Sequence, residues 1–131
     1  MEGMTERMKK AEDALARLHE IVIVEHLTEV ERDALIHRFK FCFEILWKCA
    51  KDYLRDVEGF DAAAPRKVIR LSREVGLLTD EETERALEMV NDRNLTSHTY
   101  DEQMAVMLVE HIKTYEPLMQ QWHQRMKQAE K

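Results

Sequence analysis

Glycine and proline are scarce in this 131-residue chain, at three and two residues. So few turn formers leave little room for a sheet with closely spaced turns. There are two cysteines, Cys42 and Cys49. Seven residues apart on one helix, their Cα atoms stand ~10 Å apart at ~1.5 Å rise per residue, which is beyond disulfide reach. They read as small apolar core residues in a reducing compartment. No long hydrophobic run is present, since the four residues Ile21 to Val24 are far too few to span a bilayer. The opening MEGMTERMKKAEDALARL is charged throughout and lacks the apolar centre of a secretion signal. The expected location is the cytoplasm, with no membrane contact. With so few glycines no phosphate-cradling loop exists. The histidines at 19, 26, 37, 111 and 123 show no paired ligand spacing, so neither a metal nor an organic cofactor is expected.

Hydrophobic residues make up 44% of the chain and charged residues 35%. That balance suits helices with one wet face, in a length that fits a single domain over residues 1–131. Lys plus Arg is 20 and Asp plus Glu is 26, giving 20 − 26 = −6. Phosphate neutralisation dominates non-specific nucleic-acid binding, so any such contact must come from a local basic patch or from a cleft shared by two chains.

Periodicity predicts an all-α, up-and-down antiparallel bundle of four to five helices. The first runs from about Thr5 to His19, with Ala11, Ala14, Leu15 and Leu18 as its stripe. Ile21 to Val24 either link it to the next helix or continue it. Thr28 and Glu31 form a capping box. The stripe that follows is Leu35, Ile36, Phe39, Phe43, Leu46, Trp47, Ala50, Tyr53 and Leu54. Pro65 opens a third helix and Gly76 stops it. Thr79 and Glu82 cap a fourth. A fifth runs from about Asp101 to Gln128, capped by Thr99 and kinked at Pro117. This last helix is longer than such a bundle needs, so its stripe is expected to extend into a subunit interface.

One segment breaks the pattern. Asn91 to Tyr100 puts ten mostly polar residues where a bundle helix buries a stripe, and such local conflicts mark functional sites. Arg93 and His98 are five apart, which is ~500°, or ~140° around an unbroken helix at ~100° per residue. They share a face only if the helix loosens near Ser97, or else each meets its counterpart from a second chain. Arg66, Lys67, Arg70 and Arg73 put four cations on one short helix, either a solvated face or a guide for RNA. Arg38 and Glu44 on the apolar second helix read as either a buried ion pair or a site.

Arg93-x4-His98-x-Tyr100 resembles the R-x4-H-x-Y signature of HEPN toxins that pair with nucleotidyltransferase antitoxins. Arg38 to Lys48 is similar to the second helix of the nucleotidyltransferase substrate-binding branch of that superfamily, and Pro65 to Arg70 and Asp92 to Tyr100 resemble the same branch. The likeness spans about Leu35 to Tyr115.

The resemblance implies a homodimer with two motifs meeting in one cleft, a minimal nucleotidyltransferase as partner, and RNA or a nucleotide as ligand. It further implies metal-independent RNA cleavage. Arg93 and His98 would then be catalytic, Asn94 would contact substrate, and Tyr100 would accept AMP from the partner, which silences the nuclease. The residue types suit this chemistry. An imidazole titrates near neutral pH and can take a proton from a ribose 2′-OH, and a guanidinium matches the charge of a phosphorane. The acidic pair Asp101-Glu102 beside Tyr100 would repel an incoming phosphate unless Mg²⁺ bridged it. Two other readings stand beside the nuclease: Arg93 and His98 as a polar latch that specifies the dimer, and the chain as a non-catalytic subunit presenting substrate to a minimal nucleotidyltransferase.

Overall fold

The computed structural model of the chain describes the backbone of residues 2–129 and the side chains of residues 6–129. Among them there is no strand. The helices are α1 (Glu2–Val22), α2 (Glu29–Tyr53), α3 (Pro65–Glu74), α4 (Asp80–Leu95) and α5 (Glu102–Ala129), in the all-α bundle that the periodicity predicts. Long α1, α2 and α5 pack on one another, and the shorter α3 and α4 pair beside them.

Local chemistry sets the boundaries. α1 continues through Ile21 and Val22, so the β-branched run starts as helix and finishes as link. Thr28 accepts from the Glu31 amide while the Glu31 carboxylate accepts from the Thr28 amide, which satisfies two otherwise orphaned donors. Thr79 and Glu82 repeat the device at the start of α4. After Tyr53 the chain widens into one π-helical turn, Leu54–Glu58, and stops at Gly59 with φ of 77°. Gly76, with φ of 83°, turns the chain after α3. A residue without Cβ adopts this left-handed conformation at no steric cost. The cap of α5 differs from expectation: Asp101, not Thr99, accepts the Met104 amide at 3.2 Å. A carboxylate placed there also meets the positive end of the helix dipole. α5 passes through Pro117 without ending.

The α2 stripe is buried at every predicted position from Leu35 to Leu54. It meets α5 through Phe39, whose ring stacks 6.0 Å from that of Tyr115. Trp122 and Met126, far along α5, are also fully buried. α1 covers them, with His123 Nε2 3.1 Å from the Met8 carbonyl oxygen and Lys127 3.3 Å from Glu12. The surplus length of α5 is therefore used within the chain, and its apolar stripe does not extend into a free face as expected. No described helix is long and apolar enough to cross a membrane.

Candidate functional site

The polar segment lies where α4 gives way to α5. α4 ends at Leu95, and residues Thr96–His98 form one 3₁₀ turn. Thr96 Oγ1 donates back to the Arg93 carbonyl at 2.7 Å, which satisfies one acceptor of the ending helix. The helix thus loosens at the point where Arg93 and His98 would otherwise diverge.

Arg93 is half-buried and faces α2. Its Nη1 donates to Glu44 Oε1, and its Nε donates to Asn94 Oδ1 at 3.1 Å. The guanidinium carbon stands 5.6 Å above the Phe43 ring. Glu44 is held in turn by the Trp47 indole, which donates to its second oxygen at 3.2 Å. The fork of donors is thus fixed by a carboxylate, an amide and an aromatic face. The sequence suggests Arg38 as the partner of Glu44, and the structure separates them: Arg38 donates to the Arg17 carbonyl at 2.7 Å and lies 3.4 Å from Glu20. Residues 38 and 44 are six apart, which points them in different directions on one helix.

His98 and Tyr100 are exposed and face each other. His98 Nδ1 lies 3.3 Å from the Tyr100 hydroxyl, and the rings meet edge to face at 5.8 Å. Tyr100 is 85% exposed. No hydrogen bond joins Arg93 to His98 among the described residues; each is organised with its own neighbours. Beside Tyr100 an open groove of about 490 Å³ is lined by Glu29, Arg32, Asp33, Thr99, Tyr100 and Glu102. Its charge is acidic apart from Arg32, whose Nη1 lies 3.6 Å from Glu102.

A second polar cluster underlies the segment, and sequence reasoning missed it. Asp92 is buried, and its Oδ2 accepts the Tyr115 hydroxyl at 2.5 Å and lies 2.8 Å from His111 Nδ1. Burial first, and then the hydrogen bond to this carboxylate, push the Tyr115 hydroxyl pKa well above the usual tyrosine range. The signal lay in register: Asp92 follows Met89 by three and Ala86 by six, on the buried stripe of α4. A carboxylate on such a stripe is almost always paired. Cys42 and Cys49 are buried. Burial, with the Glu116 charge adding, pushes the Cys42 thiol up to about 12. Among the described residues no group of three or more His, Cys, Asp or Glu side chains is placed to hold a metal ion.

Comparison with known proteins adds a family and a fold. Residues 6–128 match the family described as nucleotidyltransferase substrate binding protein like. No curated protein sequence matches the chain. A crystal structure of a protein from Thermus thermophilus superimposes with a TM-score of 0.87 at 50% identity, covering 88% of this chain and 98% of that one. A tri-AMPylated Shewanella oneidensis HEPN toxin in complex with MNT antitoxin gives 0.77 at 16% identity, over 95% and 96% of the two chains. A toxin–antitoxin solved with AMP-PNP gives 0.69 at 13% identity, over 94% and 96%. At the last two identities the likeness is one of fold, and that fold is HEPN-like.

Proposed function

This chain belongs to the nucleotidyltransferase substrate binding protein like family, and from that premise we propose that it is the HEPN-type toxin of a pair with a minimal nucleotidyltransferase. In this reading two copies bring their Arg93–Tyr100 segments together as a metal-independent endoribonuclease. His98 takes the proton of a ribose 2′-OH, the 2′-oxygen attacks the adjacent phosphorus, and the 5′-oxygen leaves with a proton from solvent. Arg93 balances the charge of the phosphorane and Asn94 contacts the strand.

The observation that carries the proposal is the 3.3 Å approach of the Tyr100 hydroxyl to His98 Nδ1 on an exposed surface. An AMP joined to that oxygen would set a phosphodiester against the imidazole and occupy the space a substrate ribose needs. The tri-AMPylated state of the Shewanella toxin supports this regulation. One observation favours a second reading, a non-catalytic subunit that presents substrate to its nucleotidyltransferase: Glu44 already neutralises Arg93 within one chain.

The test is cleavage of total RNA by purified, unmodified protein, with its mass in solution measured in parallel. The nuclease reading expects a dimer that cleaves in EDTA and loses roughly 10²–10⁴-fold in rate on His98→Ala, as removal of a general base does. Arg93→Lys should rescue Arg93→Ala poorly, because the planar fork is lost. Incubation with ATP, Mg²⁺ and the partner should add AMP at Tyr100 and silence the wild type but not Tyr100→Phe. An unmodified dimer that cleaves no RNA leaves the presenting subunit as the function.

A further inference from the structure

The face of α2 that carries Glu44 continues as a line of cations. Positions 44, 48 and 51 fall at spacings of four and three, one above another on a helix. Lys48 is exposed, its ammonium 6.0 Å from the centre of the Trp47 ring. Lys51 opens onto a shallow groove of about 530 Å³ whose other walls are Asp61, Ala62, Ala63, Ala64 and Lys67. Arg66, the neighbour of Lys67 in the chain, donates to Asn91 Oδ1 at 2.8 Å, which ties the start of α3 to α4. Lys51 lies seven residues beyond Glu44, ~10 Å along the helix at ~1.5 Å per residue. The groove therefore begins a short step from the candidate site and on the same face.

Its charge is unspent. Several cations elsewhere are neutralised: Arg55 lies on Asp52 and Asp56, Arg73 on Glu74 and Asp80, and Arg125 on Glu82. Among the described residues none of Lys48, Lys51, Arg66 and Lys67 has an ion-pair partner, and Asp61 is the one carboxylate lining the groove. In a chain of net charge −6 such a row does not arise from an excess of cations. The three alanines leave its floor open to a polymer backbone. Phe60, 43% exposed, precedes the groove-lining segment and offers a ring for a base to stack on. Cations that track a backbone beside an exposed aromatic are the elements of single-strand binding.

We infer that this groove holds the phosphates of a single-stranded RNA that runs on from the bond presented at Arg93 and His98. Lys51 and Lys67 are its main contacts, with Lys48 and Arg66 at either side. The inference rests on the RNase reading for its substrate, and the experiment separates the two. A fluorescent single-stranded RNA oligonucleotide is titrated, over a range of salt, against His98→Ala protein so that the strand stays intact. Adding Lys51→Glu or Lys67→Glu should each weaken binding about tenfold, and the salt slope should flatten by ~0.7 for each phosphate no longer neutralised. Lys113→Glu, the same charge change at the other end of the bundle, should weaken it less than about twofold. Melting curves check that each variant is folded. Unchanged affinity in Lys51→Glu and Lys67→Glu, or no RNA binding at all, overturns the inference even if the wild type cleaves RNA. Binding that falls in both variants while the wild type cleaves nothing keeps the groove as an RNA surface and removes the nuclease. If both variants lose a nucleotidyltransferase partner but keep RNA, the groove receives an acidic protein surface and the inference falls.

Discussion

Arg93 stands in the last turn of α4 with its guanidinium on Glu44 and Asn94 and above the Phe43 ring, whereas His98, five residues on, meets Tyr100 at the surface. The first half of the motif is built into the bundle. Glu44 is fixed by Trp47, Phe43 stacks on Phe39, Phe39 stacks on Tyr115, and Tyr115 is tied to Asp92, the residue before Arg93. The second half sits on a single 3₁₀ turn with an exposed ring pair. A charge that must meet a phosphate at a fixed distance gains from such anchoring, because preorganised donors need no rearrangement during reaction. In the proposed nuclease, a tyrosine that must be reached by a partner's nucleotide gains from exposure. The charges divide along the same line, cations running from the Arg93 side towards Lys51 and Lys67, and carboxylates gathering around Tyr100.

The sharpest way to break this contrast is to remove an anchor from each half. Asp92→Ala leaves the buried Tyr115 hydroxyl without its acceptor and frees His111. Hydrogen bonds to a charged group are worth roughly 1.5–3 kcal/mol, and the loss expected here is about 2–3 kcal/mol, or on the order of 10 °C in Tm. His98→Ala removes an exposed ring and should change stability by less than about 0.5 kcal/mol. Thermal melts of the two variants side by side decide the matter. Equal losses would mean that the two halves are held alike.

A smaller effect isolates the Tyr115 anchor through pH. The folded protein raises the Tyr115 hydroxyl pKa, so the stability it contributes is fully present below the unfolded value, ~10 for a tyrosine. It is lost as pH rises through the higher folded value. Tyr115→Phe should therefore cost about 1.5 kcal/mol at pH ~8, and the gap to wild type should narrow above pH ~10. Urea unfolding at about pH 8 and about pH 11 measures it. A gap that stays constant would show that Asp92 does not hold the protonated phenol.

How much of this was legible in the sequence follows the same division. The capping boxes at Thr28 and Thr79, the stops at Gly59 and Gly76, and the buried stripe from Leu35 to Leu54 depend on near neighbours in the chain, and the sequence carries them. The motif segment was visible as a local conflict, and a loosening near Ser97 was one of the two ways its residues could be brought together. The partner of Glu44 was not visible, because it lies 49 residues away and spacing along one helix says nothing of what crosses to it. That Asp92 meets His111 and Tyr115 was not visible for the same reason, although the register of Asp92 marked it as buried. The length of α5 was misread because α1 covers Trp122 and Met126, a packing that depends on how two distant helices align.

The finest test sharpens the contrast inside the anchored half. Glu44→Gln keeps an oxygen to accept from Arg93 and removes the carboxylate charge, leaving the guanidinium in place but no longer neutralised. The pair is partly exposed, at 22% and 30% for the two side chains, so water screens part of the attraction. The expected loss is about 1 kcal/mol or less, smaller than for Asp92→Ala. Binding of RNA should move the other way. A guanidinium without a facing carboxylate meets phosphate with its full charge, so a single-stranded oligonucleotide should bind more tightly to Glu44→Gln than to its parent, both carrying His98→Ala. If Glu44 positions Arg93 as well as neutralising it, kcat should fall in the variant with an intact His98 while KM falls too. A variant that binds RNA no more tightly than its parent and melts at the same temperature would mean that Glu44 neither shields nor steers Arg93, and that the guanidinium is fixed by Asn94 and Phe43 instead.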